Sequence, residues 1–226
     1  GKFQLINRDF DLRRLLEEIA EVMAVQAHLK GLELILNLPP KWQHSMVLGD
    51  SERLRQILIN LLSNAIKFTE QGEVQLRVSL LNSATEQQEL LFEVIDTGIG
   101  IAQDQHLVIF DSFTQADNTS TRRFGGTGLG LTISKQLLKL MGSDLLLHSQ
   151  VGAGSRFYFY LTLTQSQHNM PETLKLDALV GLKVLVVDDN ATNRTILSEQ
   201  LAHWGAHCDC VENGQLAFDI LVNAAR

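Results

Sequence analysis

The sequence predicts an α/β fold, because segments with helical and with strand periodicity follow one another along its 226 residues. Two long segments, residues 12–30 and 51–68, carry apolar residues at helical spacing, with shorter strand-like runs between and after them. From residue 181 onward the order is strand, helix, strand, helix, which is typical of the start of a doubly wound α/β domain. We therefore expect one larger α/β domain followed by a partial doubly wound segment.

The first elements have clear start and stop signals. The first helix follows Asp11, a residue type that caps helix N-termini, and stops at Gly31. The run LELILNL, residues 32–38, then predicts a strand closed by two prolines. The second helix is predicted from about Ser51 to Phe68.

A hairpin and a third helix follow. The runs GEVQLRVSLLN (72–82) and ELLFEVID (89–96) predict two strands joined by a polar connection. A polar loop of residues 111–126 is too long for a simple connector, which favours a lid or binding loop. The third helix carries Leu129 and Ile133 on its apolar side and ends before Gly142. DLLLHSQ and SRFYFYLTLT then predict two strands around the turn VGAGS.

Composition excludes several classes of protein. The formal net charge of -7 and a pI near 5.5 give no basic surface for nucleic acid, and no basic run indicates a membrane surface. No apolar stretch reaches membrane-spanning length and no secretory leader is present, so the chain is predicted to be soluble. Cys208 and Cys210 lie two apart in a strand-like run, which predicts reduced thiols and no zinc site.

The second helix has an unusual polar stripe. Arg53, Gln56, Asn60, Asn64 and Lys67 fall within an arc of roughly 80° opposite the apolar face. Asparagine is a poor helix former, but its carboxamide oxygen is a ligand that Mg²⁺ accepts, and lysine is suited to phosphate. The stripe predicts a metal-nucleotide site, and the alternative is an ordinary solvated helix face.

Two glycine motifs are compatible with a nucleotide. GGTGLGL, residues 125–131, lacks the preceding apolar strand of a dinucleotide fingerprint, but its backbone N–H groups and the following helix N-terminus can meet phosphate. In DTGIG, residues 96–100, an aspartate at a strand end can accept a hydrogen bond from an amino group. Taken alone, the first motif could be a hinge and the second a simple turn.

The ordered set NLLSNAIKFT, DTGIG, IFDSFTQ, GGTGLGL and GAGS resembles the N, G1, F and G2 boxes and final hairpin of the catalytic, ATP-binding domain of sensor histidine kinases. The resemblance covers residues 1–166 and implies a GHKL or Bergerat-type ATP site in a two-layer sandwich, with a mixed sheet covered by helices on one face. It implies ATP and Mg²⁺ as ligands. It also implies that the catalytic residues are Asn60, Asn64 and Lys67.

The resemblance assigns further roles. It implies that Asp96 accepts from the adenine amino group beside Gly98 and Gly100, that Asn60 and Asn64 supply the Mg²⁺ ligands, and that Lys67 reaches the phosphates. It implies a lid anchored by Phe110 and Phe113 and a γ-phosphate contact from Arg122 or Arg123. The triphosphate would lie against Gly126, Thr127, Gly128, Leu129 and Gly130.

The resemblance also frames the reaction. Gyrase-like and chaperone ATPases of the same fold place a glutamate where Asn60 stands, and this glutamate acts as the base that activates water. Asparagine cannot act as a base. The resemblance therefore favours phosphoryl transfer to a protein acceptor over rapid hydrolysis. None of the seven histidines lies in an acceptor motif. The acceptor is therefore expected on dimerisation helices of a homodimeric parent, and the opening residues resemble the segment that follows such helices.

Residues 183–221 read KVLVVDDNATNRTILSEQLAHWGAHCDCVENGQLAFDIL. This tail resembles the first half of a receiver domain, as in hybrid kinases. We expect a linker at residues 167–180 and a truncated receiver at residues 181–226 that ends before the phosphoacceptor strand. Asp188 and Asp189 match the acidic pair that holds Mg²⁺ in receivers, whereas a turn and helix cap is the alternative.

The resulting hypothesis is the ATP-binding catalytic domain of a hybrid sensor histidine kinase, transferring the γ-phosphoryl group of Mg-ATP to a histidine outside this chain. Its partners would be the dimerisation helices and a receiver or response regulator, in the cytoplasm, with no nucleic acid and no direct membrane contact. An inner-membrane anchor in the parent is left open. The alternatives are a related ATPase or serine kinase, and a degenerate nucleotide-binding docking module.

Overall fold

The computed structural model describes residues 4–40, 42, 45–84, 86–110, 129–166 and 179–224. The chain forms two compact units, one of residues 1–39 and 44–169 and the other of residues 40–43 and 170–226. Most of the predicted linker lies outside the described residues. The predicted domain boundaries therefore stay predictions, and each unit is considered by itself.

Three helices of the first unit lie where periodicity predicts them: α1 (Leu12–Leu29), α2 (Ser51–Phe68) and α3 (Gly130–Leu140). Asp11 and Asp50 cap α1 and α2, each accepting a hydrogen bond from the backbone N–H three residues later. The apolar stripe of α2 is buried, and it consists of Leu54, Ile57, Leu58, Leu61, Leu62, Ala65 and Ile66. Within the described ranges, no helix is long and apolar enough to cross a membrane.

The first unit has a seven-stranded sheet in the order β1-β3-β7-β5-β4-β2, with β6 also paired to β7. Its strands are β1 (Arg8–Asp11), β2 (Glu33–Asn37), β3 (Met46–Gly49), β4 (Glu73–Ser83), β5 (Gln87–Asp96), β6 (Leu146–Gln150) and β7 (Gly154–Gln165). β2 pairs with β4 in parallel and all other pairs are antiparallel, so the sheet is mixed, as predicted.

The predicted hairpins β4-β5 and β6-β7 are confirmed. β4 ends one residue later and β5 begins two residues earlier than the predicted runs. The extra residues are polar and continue the ladder beyond a register shift between Leu80 and Asn82. The sequence does not predict β1 and β3, because four-residue strands are too short to show periodicity.

The core of the first unit lies between the helices and one face of the sheet. α2 packs against α1 and α3 and against β4 and β5. Phe92 of β5 and Phe159 of β7 stack in this core with ring centroids 5.0 Å apart, and both are almost fully buried. Each such side chain contributes about 1.5–3 kcal/mol by burial. This two-layer arrangement matches the predicted fold and leaves the polar stripe of α2 outside the apolar core.

The second unit contains β8 (Lys183–Val187), α4 (Ala191–His203), β9 (His207–Val211) and α5 (Gly214–Ala224). β8 and β9 are parallel neighbours, in the predicted order strand, helix, strand, helix. Cys208 and Cys210 are free thiols with sulfur atoms 3.5 Å apart. The element order agrees with the sequence, and the receiver assignment stays a prediction.

Candidate functional site

The centre of the α2 stripe contacts the start of α3. The Asn60 amide donates a 2.9 Å hydrogen bond from Nδ2 to Oγ of Ser134, a serine that is 1% exposed. A Cβ atom added at Gly130 would lie 2.1 Å from Oδ1 of Asn60, so only glycine fits there without displacing the amide. The structure therefore places the Asn60 carboxamide against the first turn of α3, where the predicted phosphate-binding loop ends.

The other two predicted catalytic residues follow Asn60 along α2. Asn64 lies one turn further and Lys67 lies in the last turn, and both side chains are partly exposed. The Lys67 ammonium lies 4.9 Å from the centroid of the Phe68 ring. An oxygen ligand and a cation are thus presented from consecutive turns of one rigid helix, which suits a metal-bound phosphate group.

Asp96 ends β5 and is 6% exposed. Its Oδ1 accepts hydrogen bonds from the backbone N–H groups of Gly98 at 2.9 Å and Ser155 at 3.3 Å. Burial raises the pKa of Asp96, and these two donors partly oppose that shift. Because both bonds use Oδ1, the second carboxylate oxygen is the atom suited to accept from a ligand amino group.

The glycines of the Asp96 turn are required by the protein's own backbone. A Cβ atom at Gly98 would lie 2.4 Å from the carbonyl oxygen of Phe68, the last residue of α2. Gly100 has a φ of +70°, and its Cβ would lie 2.0 Å from the carbonyl oxygen of Gln150. Close packing of backbone on backbone therefore explains both glycines, and it brings the turn against the end of α2.

Phe110, a predicted lid anchor, is held from several sides. Its ring meets the Phe157 ring edge-on at 6.5 Å, and the Lys135 ammonium lies 4.4 Å from its centroid. The Thr132 hydroxyl donates a 3.0 Å hydrogen bond to the Phe110 carbonyl oxygen. These contacts attach the residue that precedes the predicted lid to both the sheet and α3.

Six predicted site residues lie outside the described residues: Phe113, Arg122, Arg123, Gly126, Thr127 and Gly128. Leu129 and Gly130 are described at the start of α3, and the Leu129 carbonyl accepts the Ile133 N–H at 2.9 Å. The roles of the six stay predictions.

Asp188 and Asp189 follow β8 and lead into α4. Oδ1 of Asp188 accepts the Asn190 N–H at 2.8 Å, and Asn190 caps α4 through its own side chain. Arg194 donates to the carbonyl oxygens of both aspartates. Across the part of the chain that the structure describes, no three His, Cys, Asp or Glu residues cluster as a metal site. Asp188 thus accepts a turn hydrogen bond and Asn190 caps α4, while the receiver role of Asp188 and Asp189 stays a prediction.

Sequence reasoning missed three serines that support the site. Ser134 bonds Asn60, Ser155 supplies an N–H to Asp96, and Ser149 accepts the Ile101 N–H at 2.8 Å while donating to Gly154. Only Ser134 leaves a signal in the sequence, because a serine among the apolar positions of a helix needs a buried partner.

Residues 49–165 match the family model described as histidine kinase-, DNA gyrase B-, and HSP90-like ATPase. Sensor protein GacS of Pseudomonas syringae pv. syringae is 40% identical over 205 residues, which cover 91% of this chain and 22% of that protein. Hybrid signal transduction histidine kinase B of Dictyostelium discoideum is 33% identical over 235 residues, covering 94% of this chain and 12% of that protein.

Among solved structures, full-length ShkA in complex with AMPPNP has a TM-score of 0.78 at 30% identity, covering 97% of this chain and 43% of that one. The chain spans about a fifth or less of the length of the two curated relatives, at 22% and 12%. The matched family segment contains the α2 stripe, the Asp96 turn and α3. The predicted resemblance to a histidine kinase ATP-binding domain is confirmed, whereas the receiver resemblance stays a prediction.

Proposed function

Because the chain belongs to the histidine kinase-, DNA gyrase B- and HSP90-like ATPase family, we propose that it binds Mg-ATP as the catalytic domain of a hybrid sensor histidine kinase and transfers the γ-phosphoryl group to a histidine of its parent protein. The observation that carries this proposal is the buried Asp96 carboxylate, one oxygen of which is held by two backbone N–H groups. Such a group provides a fixed acceptor for an exocyclic amino group. ShkA, a similar protein, has been solved with the ATP analogue AMPPNP.

The phosphate side of the site is proposed to lie along α2. Asn64 would provide a carboxamide oxygen to Mg²⁺, and the Lys67 ammonium would bind phosphate oxygens. Bound Mg²⁺ would supply charge neutralisation at the phosphates, which is the main requirement of phosphoryl transfer. The residues fit these ligands because they combine a neutral oxygen donor and a cation on consecutive turns of one helix.

The chemistry of Asn60 favours phosphoryl transfer to a protein acceptor over hydrolysis. Its amide is engaged with Ser134 and packs on Gly130. An amide cannot take a proton from an attacking water, so nothing at this position promotes hydrolysis. We propose that Asn60 fixes the start of α3 beside the metal ligand, and that any metal contact it makes uses Oδ1.

The proposed partners follow from the family resemblance, because none of the seven histidines of this chain lies in an acceptor motif. The proposed acceptor histidine belongs to dimerisation helices of a homodimeric parent, and a receiver or response regulator takes the phosphoryl group next. The proposed location is the cytoplasm, where ATP and Mg²⁺ are available. GacS and hybrid kinase B are named as a sensor protein and a hybrid histidine kinase, in agreement with this assignment.

The test is trans-phosphorylation. The chain is mixed with the parent's dimerisation helices, ATP labelled at the γ-phosphate, and Mg²⁺, and the label on the helices is assayed for stability in acid and base. Acid-labile, base-stable label that depends on the acceptor histidine supports the proposal. Absence of such label, although the chain binds Mg-ATP, would contradict kinase function. The matched control is Asn64→Ala, which should strongly reduce the label.

A further inference from the structure

The C-terminal turn of α2 has an unusual hydrogen-bond partner. The last carbonyl groups of a helix lack partners within the helix and must find them elsewhere. Thr69 supplies its N–H and hydroxyl to the Ala65 carbonyl, and the Ile99 N–H reaches the Phe68 carbonyl at 3.3 Å. The remaining carbonyls of this turn are bound by a single side chain from another helix end.

That side chain is Lys30, which follows α1. Its ammonium donates to the carbonyl oxygens of Ile66, Lys67 and Thr69, each at 2.7 Å. An ammonium group has three N–H donors, which matches the three carbonyl oxygens bound here. The backbone N–H of Lys30 meanwhile caps α1, because it donates to Ala27. One residue therefore ends both helices.

Electrostatics favour this placement. A cation at a helix C-terminus interacts favourably with the helix dipole, and short charge-assisted bonds are stronger than neutral ones. Burial lowers the pKa of Lys30, and the negative charge of Glu70 opposes this shift. The three bonds connect residues 36 to 39 positions apart, so they fix the α2 terminus to the end of α1.

This turn of α2 joins the two halves of the proposed nucleotide site. Lys67 belongs to it on the phosphate side. On the base side, the Phe68 carbonyl accepts the Ile99 N–H and would lie 2.4 Å from a Cβ atom added at Gly98. Asp96, in contrast, is also fixed independently by Ser155 of β7. Loosening the turn should therefore disturb the alignment of the two halves more than it disturbs the base half alone.

We propose that Lys30 is a positioning residue for nucleotide binding, which holds the last turn of α2 so that Lys67 and the Asp96 turn engage one nucleotide together. This inference rests on the proposed function. Lys30 acts through α2, because its ammonium donates to three main-chain oxygens at the end of that helix.

The test compares a ligand that spans both halves with one that reaches only the base half. Lys30→Met and Lys30→Arg are titrated with Mg-AMPPNP and with adenosine by calorimetry, at a temperature well below the unfolding midpoint of each variant. Lys30→Met should weaken Mg-AMPPNP by about tenfold and adenosine by less than about twofold. The matched control is Lys139→Met, an exposed lysine in the last turn of α3, which should leave both affinities unchanged.

The arginine variant keeps the charge, but its planar, divergent donors cannot converge on three carbonyls, so an intermediate loss is expected. If Lys30→Met does not fold, the titrations with Lys30→Arg test the proposal in its place. Equal losses for both ligands, or no loss in either variant, would overturn the positioning role. A wild-type chain that fails to bind Mg-AMPPNP would instead contradict the proposed function, which keeps the two failures distinct.

Discussion

Replacing Asp96 with asparagine tests the base half of the site with almost no change of shape. The amide oxygen can take over the two bonds that Oδ1 accepts from Gly98 and Ser155. The amide nitrogen must then occupy the place of the second carboxylate oxygen. Because this NH₂ group donates only, it would face the adenine amino group donor to donor.

The expected loss follows from that geometry. A hydrogen bond to a charged acceptor contributes about 1.5–3 kcal/mol, and an unpaired buried donor costs about 1–3 kcal/mol. A combined loss of about 3 kcal/mol corresponds to roughly a hundredfold weaker binding of Mg-AMPPNP, measured by calorimetry. An inosine triphosphate analogue carries an oxygen in place of the amino group, and this oxygen can accept from the new amide. The Asp96→Asn substitution should therefore weaken binding of that analogue much less than it weakens binding of Mg-AMPPNP. If Asp96→Asn binds Mg-AMPPNP as tightly as wild type, the assignment of Asp96 to the base is wrong.

The same substitution should change stability in a pH-dependent way. The raised pKa of Asp96 means that its ionised form disfavours folding, so stability is highest below the ordinary value of 3.8 and falls as the pH rises through the raised pKa. Asparagine does not titrate. The unfolding temperature of nucleotide-free Asp96→Asn, measured relative to wild type, should therefore increase as the pH rises from 3.8 toward 7, because only the wild-type chain loses stability over that range. A pH-independent difference would refute this reasoning.

Three further predictions concern packing and chemistry. Gly130→Ala puts a Cβ atom 2.1 Å from Oδ1 of Asn60 and should cost about 1–3 kcal/mol in thermal unfolding while weakening Mg-AMPPNP, whereas Gly214→Ala, with no atom within 4 Å, should be neutral. If Gly130→Ala and Gly214→Ala have equal effects, a clash between the new Cβ atom and Asn60 is excluded. Glu93→Gln removes a carboxylate that is 4% exposed and contacts two arginines. Chemical denaturation should show that the free energy of unfolding falls by about 1.5–3 kcal/mol, the contribution of a hydrogen bond to a charged group, and an unchanged midpoint would contradict a stabilising ion pair. The isolated chain should turn over Mg-ATP only slowly, because Asn60 cannot act as a base, and rapid steady-state phosphate release would contradict phosphoryl transfer to protein as its function.

The elements that sequence predicts best are long and have local signals. The apolar spacing predicts α2 to its ends because it persists over 18 residues. β1 and β3 have four residues each and exist because they pair with each other and with β7, information that no local pattern carries. Local patterning therefore predicts the longer elements but not β1 and β3, which lie at one edge of the sheet.

In the candidate site, too, local signals are visible in the sequence and long-range contacts are not. Spacing and residue type predict the polar stripe and the Asp96 turn as parts of one site, and the structure packs the Asp96 turn against the C-terminal end of α2. The partners of these residues are long-range: Ser134 lies 74 positions from Asn60, and Lys30 lies 36 positions from Ile66. Periodicity cannot reveal such contacts, because they depend on which helix ends meet after folding.

The most direct test of the central claim is a titration of the chain with AMPPNP in the presence and absence of Mg²⁺, repeated with Asn64→Ala. If α2 and the Asp96 turn form one Mg-nucleotide site, Mg²⁺ should strengthen binding to the wild-type chain. Asn64→Ala should lose that gain and keep the Mg²⁺-free affinity. Binding that is indifferent to Mg²⁺, or an Asn64→Ala titration identical to wild type, would contradict the account.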